Sequence, residues 1–151
     1  MCAACGPRDT TVKFYVADGY HFAQAERRGI EDLAEATARE ARRVLPALPH
    51  HLSVRVYAGT RVIPETGEAG EVVPPSTVIW TVDPAHAGGV LTVVHTWLRA
   101  SLLHEFHHLV RAQTSPSTSL MDEVVTEGMA TVFERDVTGA SPLWGLYPDE
   151  V

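Results

Sequence analysis

Five consecutive residues, His104-Glu105-Phe106-His107-His108, concentrate more chemistry than any other stretch of this 151-residue chain. In the pattern H-E-x-x-H, two imidazoles stand four residues apart with a carboxylate directly after the first. On a helix that spacing brings His104 and His108 to one face, one turn apart, as half of a tetrahedral zinc site. Glu105 falls roughly 100° round the helix from His104 and roughly 60° from His108. It can lean toward a metal-activated water without ligating the metal, the position of a general base in a metal hydrolase. With eight His and twelve Glu in the chain, composition alone would produce the pattern in about 3 of 100 such chains.

The pentapeptide needs a helix to hold it. From Val93 to Gln113 there is neither Gly nor Pro, and Val94, Leu98, Leu102, Phe106 and Leu109 recur at helical spacing. The last four lie behind the helix, while Trp97, Ser101, His108 and Arg111 share the face of His104. The helix is thus apolar behind and polar around the proposed site. His95 points away from His104 and is no ligand. His107 stands about 60° off the site on the side opposite Glu105 and reads as a supporting or groove residue.

A third ligand must come from elsewhere. The turn-rich loop 114–119 leads into a second helical segment, 120–135, with Ser119 as N-cap and Asp122 three residues on. On this helix Glu123, Glu127, Thr131 and Glu134 share one face, and Met121, Val125, Met129 and Val132 share much of the opposite one. A carboxylate from the polar face would complete a two-histidine, one-carboxylate set with an open fourth position. The outer ring nitrogens of His104 and His108 also need acceptors, for which Glu123, Glu134 or backbone carbonyls are candidates.

His104-Glu105-x-x-His108, eighteen residues, then Glu127-Gly128-Met129-Ala130 resembles the gluzincin signature. The zinc aminopeptidases of that class follow H-E-x-x-H with an eighteen-residue spacer and an N-E-G-F-A type segment. The pattern is more similar still to a family of small bacterial predicted zinc-dependent proteases, in which H-E-x-x-H is followed by V-R and later by E-G-x-A. Val110-Arg111 and Glu127-Gly128-Met129-Ala130 match it. The resemblance covers roughly residues 101–135 and implies one Zn2+ per chain, held by His104, His108 and Glu127, with Glu105 as base. It implies a peptide or protein substrate, bound as an added strand beside the sheet strand nearest the active-site helix. The chain departs from the wider class at Thr126, where aminopeptidases have Asn, and at Thr131, where thermolysin-like enzymes have Asp. It also lacks their G-x-M-E-N motif, so aminopeptidase specificity does not carry over. Tyr147 is the one late candidate for stabilising an oxyanion.

Composition sets bounds on the rest. A formal charge of −7 disfavours general binding to nucleic acid or anionic membranes. No apolar run approaches membrane-spanning length, and the N-terminal stretch has no apolar core of a signal peptide, so the expected compartment is cytoplasmic. Cys2 and Cys5 form C-x-x-C without a second pair, in a tail expected to be disordered over residues 1–10. One domain is expected over residues 11–151.

Taken in order, strands are expected at 11–16, closed by Asp18-Gly19, at 52–57 and at 77–82. A long helix is expected from Ala23 to Leu48. Its apolar stripe is Ile30, Leu33, Ala34, Ala41, Val44 and Leu45, and its charges are solvated. The Gly/Pro/Glu-rich stretch 58–76 reads as a mobile loop with a short hairpin at Val72-Val73, in reach of the cleft as a lid. Neighbouring His50 and His51 point opposite ways and form no site. His86 with Gly88 and Gly89 reads first as the loop leading into the helix, and the aromatics after Gly139 as packing over the core or the cleft rim. The expected fold is α+β and zincin-like: a small twisted sheet on a long helix and the H-E-x-x-H helix, with the third ligand on the helix that follows. The leading function is a zinc-dependent endopeptidase. The alternatives are a zincin-fold hydrolase or tailoring enzyme for a small amide or peptide metabolite, and a non-catalytic zinc-binding regulatory module.

Overall fold

A computed structural model describes residues 9–16 and 19–143. Cys2, Cys5, Asp18, Trp144 and Tyr147 lie outside the described residues. The elements are β1 (Thr10–Tyr15), α1 (Gln24–Val44), β2 (Leu52–Ala58), β3 (Glu68–Val73), β4 (Thr77–Val82), α2 (Gly89–Val93), α3 (Arg99–Thr114) and α4 (Leu120–Thr138). A π-helical turn, Val94–Leu98, joins α2 to α3. Val94 and Arg99 keep right-handed helical dihedrals, so α2, the π turn and α3 run on as one rod. The architecture is α+β: one mixed four-stranded sheet and three helical rods.

The sheet runs β1-β2-β4-β3. β1, β2 and β4 are parallel, and β3 closes the far edge antiparallel to β4. Strict alternation along β2 and β4 sends Leu52, Val54, Val56 and Ala58, with Val78, Trp80 and Val82, into the core. Ile30, Ala34, Ala38 and Ala41 form the buried stripe of α1. Three alanines let that helix lie close on its neighbours. Leu98, Leu102, Leu103, Phe106 and Leu109 of the rod that contains α3 are fully buried in the same core. Each such Leu or Phe contributes about 1.5–3 kcal/mol by leaving water. α3 is thereby pinned from behind, and its polar face is left to do chemistry.

β1 and β2 differ from the expected strands by no more than one residue at either end and α4 runs on to Thr138; two departures are larger. α1 ends at Val44, four residues short, because Leu45 leaves helical dihedrals and Pro46 cannot continue the hydrogen-bond ladder. Val44 is 52% exposed, so it drops out of the apolar stripe. The stretch 58–76 is no mobile lid: six of its residues form β3, with Glu68 through Val73 in register against Val82 through Thr77. Glu68 and Gly70, residues that argue against a strand by propensity, both face inward. β4 is consequently paired on both sides and cannot accept a substrate strand; β3 is the edge beside α3. His86 packs on Gly67, where a Cβ would collide with the imidazole.

α4 begins as its sequence dictates. The Ser119 hydroxyl accepts from the Asp122 N–H at 3.2 Å, and the Asp122 carboxylate accepts from the Ser119 and Thr118 hydroxyls at 2.9 Å each. Gly139, with φ of 75°, ends it. Arg111 Nε on α3 donates to the Thr126 hydroxyl at 2.9 Å, setting the height of α4 against α3. Ala130 and Glu134 face inward, whereas Leu120, Met121, Val124, Val125, Met129 and Val132 are exposed.

Candidate metal centre

α3 presents His104 and His108 on one face, with ring centroids 4.7 Å apart and planes at 69°. α4 delivers Glu127 between them. Its Oε2 lies 3.1 Å from His104 Nε2 and 3.3 Å from His108 Nε2. Donor atoms of the three residues lie within 4.8 Å of one another, a cluster that could hold a metal ion. Donors bound tetrahedrally to zinc at 2.0–2.1 Å stand roughly 3.3 Å apart. The two edges to Glu127 are close to that length, and the donors are of the type and number that zinc takes. The Glu127 side chain is 64% exposed, whereas those of His104 and His108 are 10% and 11% exposed. The cluster thus has a dry floor made by α3 and one side open to solvent.

Behind it, His104 Nδ1 lies 3.2 Å from Glu134 Oε2. Glu134 is 2% exposed, so its carboxylate is committed to the imidazole and fixes which ring nitrogen faces Glu127. Among the candidate acceptors, Glu134 lies at the outer nitrogen of His104, while Glu123 is exposed in the first turn of α4. Thr131 is half-buried. His107 turns away from the cluster against Phe133, centroids 5.3 Å apart, and its Nδ1 is buried with no hydrogen-bond partner. His95 is exposed, as its helical phase requires.

The charges are strongly coupled. Hydrogen bonds from His104 and His108 hold the Glu127 carboxyl well below the ordinary carboxylate range. Burial works against a charge on His104, but Glu127 and Glu134 outweigh it and bring the imidazole up to about 9. Burial pushes Glu105 up to about 7, with the neighbouring His104 and His108 pulling the other way. Glu105 is therefore poised near neutrality, the range in which a carboxyl both takes and returns a proton. His107 is lowered by burial and by the cations nearby.

Two residues at this site were not singled out from the sequence. Glu68, 1% exposed at the start of β3, accepts from Trp80 Nε1 at 2.7 Å and is hydrogen-bonded by Ser101 of α3. Burial raises its carboxyl, against those hydrogen bonds. Gly70, two residues on, lies against Glu105. The only sequence signal for either is the period of two that places Glu68, Gly70 and Val72 on one face.

The family described as "Predicted Zn-dependent protease (DUF2268)" matches residues 27–150. Neither a curated protein nor a solved structure matches the chain. The family match starts inside α1 and runs past α4, through every residue of the cluster. The chain belongs to this family of predicted zinc-dependent proteases.

Proposed function

We propose that the protein is a zinc-dependent peptide-bond hydrolase, a gluzincin-like endopeptidase on a zincin-like fold. Zn2+ would be held by His104, His108 and Glu127. The observation that carries this reading is the convergence of those three donors within 4.8 Å of one another, with the Glu127 carboxylate within 3.3 Å of both imidazoles. Bound zinc would supply a Lewis acid that activates water and polarises the scissile carbonyl. Glu105, buried beside both imidazoles, would take the proton of the attacking water and pass it to the leaving amine nitrogen. Glu134 holds the His104 ring in its productive orientation through Nδ1. Beyond Glu68, whose carbonyl accepts from the Ile63 N–H at 3.0 Å, the edge strand β3 would offer its outer backbone groups to an extended peptide. Gly70 brings that row past Glu105.

Glu105→Gln is the direct test. It preserves shape while removing the base, so cleavage in a peptide library should fall by at least about a hundredfold with zinc content unchanged. Cleavage that survives the substitution would remove Glu105 from the mechanism. A wild type that binds zinc but cleaves no peptide would favour a small-amide substrate or a regulatory zinc module.

A further inference from the structure

The strand β3 holds a glycine where no backbone requirement calls for one. Glycine weakens a strand, and in strand interiors it marks either a bulge or a close approach. Gly70 sits in regular antiparallel register opposite Trp80, and its φ lies outside the left-handed region. Close approach remains. A Cβ at residue 70 would stand 2.7 Å from both Cγ and Oε1 of Glu105, and 3.0 Å from its Cδ. The bare backbone is occupied by the carboxylate.

One step back along both elements, a second contact fixes their height. Glu68 precedes Gly70 by two strand residues, and Ser101 precedes Glu105 by four helix residues; Glu68 and Ser101 are hydrogen-bonded. Two residues of strand advance roughly 6.6 Å and four residues of helix 6.0 Å, so the two contacts form matched rungs. Trp80 Nε1 anchors the same Glu68 carboxylate to the sheet at 2.7 Å.

We propose that Gly70 is a positioning residue: its missing side chain is the seat that holds the Glu105 carboxylate beside the metal cluster, and the Glu68–Ser101 rung keeps that seat at the right height. The consequence for turnover rests on the hydrolase reading above; the seat itself does not. The three nearest atoms to a Cβ at residue 70 all belong to the Glu105 side chain, so an added methyl is relieved first by moving that side chain and not by unfolding the strand.

The test is Gly70→Ala, read by structure, zinc content and kinetics together. The crystal structure of the zinc-loaded variant should show the Glu105 carboxylate displaced by more than an ångström, with His104, His108 and Glu127 in place and one zinc per chain. Glu105 unmoved, or the three ligands shifted with it, would overturn the proposal. In kinetics, kcat should fall by about a hundredfold with KM within about twofold. The shorter acid in Gly70→Ala/Glu105→Asp should fit beneath the methyl, leaving the double variant no slower than Glu105→Asp alone. Independent, multiplying losses would make Gly70 merely structural and overturn the assignment. If the wild type cleaves nothing, the hydrolase reading fails, while the structure of Gly70→Ala still decides the seat.

Discussion

The cluster binds protons where it would bind metal, and this sets its pH behaviour. A metal requires His104 neutral, whereas Glu127 and Glu134 hold its proton on up to about 9. Zinc must therefore displace that proton at neutral pH. The apparent zinc affinity should rise by about tenfold per unit between pH 7 and pH 9 and then level off. Competition against a chelator of known pH dependence measures this; an affinity flat over that range would contradict the coupling. The sign reverses for the metal-free fold. A histidine raised in the folded state stabilises fully below its unfolded value near 6.5, and that contribution is lost as pH rises through about 9. Glu127 contributes above the ordinary carboxylate range and loses its contribution only under stronger acid.

Among the elements, the least conspicuous strand lies against Glu105, the base of the proposed reaction. Glu68 supplies an acceptor to the buried indole N–H of Trp80, to Ser101 and to Thr66. Glu68→Ala strands those donors and should destabilise the fold by about 1–3 kcal/mol in urea denaturation. Glu68→Gln, which keeps an acceptor oxygen, should fall between it and the wild type. Equal stability of all three would mean that the polar rung between β3 and α3 carries no weight. This strand was the part of the fold that the sequence concealed. Two of its three inward positions are a carboxylate and a glycine, and both meet neighbours on α3 that only the tertiary structure reveals. α3 was legible because its apolar stripe and its ligands obey one period, and Ser119 with Asp122 marked the start of α4 in the same way. α4 was legible in its two faces, and the need for a third donor, not its apolar pattern, indicated which of them turns toward α3. The polar face turns inward because Glu134 and Glu127 meet His104, which leaves Met121, Val125, Met129 and Val132 outside. Hydrophobic patterning by itself would have turned that helix the other way.

Across the whole molecule, the cluster ties α3 to α4 over a five-residue connection, while the core behind α3 is built from the sheet and α1. Among the described residues no helix is long and apolar enough to cross a membrane. A metal bound at this junction draws on ligands 104, 108 and 127, and so on helices that also meet through Arg111 and Thr126. A ligand that binds only the folded chain stabilises it by mass action. The most direct test of the three-residue centre is zinc content of the purified protein, wild type beside Glu105→Gln, His104→Ala and Glu127→Ala. The expected result is one zinc per chain in the wild type and in Glu105→Gln, with zinc lost or greatly weakened in the other two. A wild type that takes up no zinc when it is supplied, or a Glu127→Ala variant that holds it as tightly as the wild type, would contradict it.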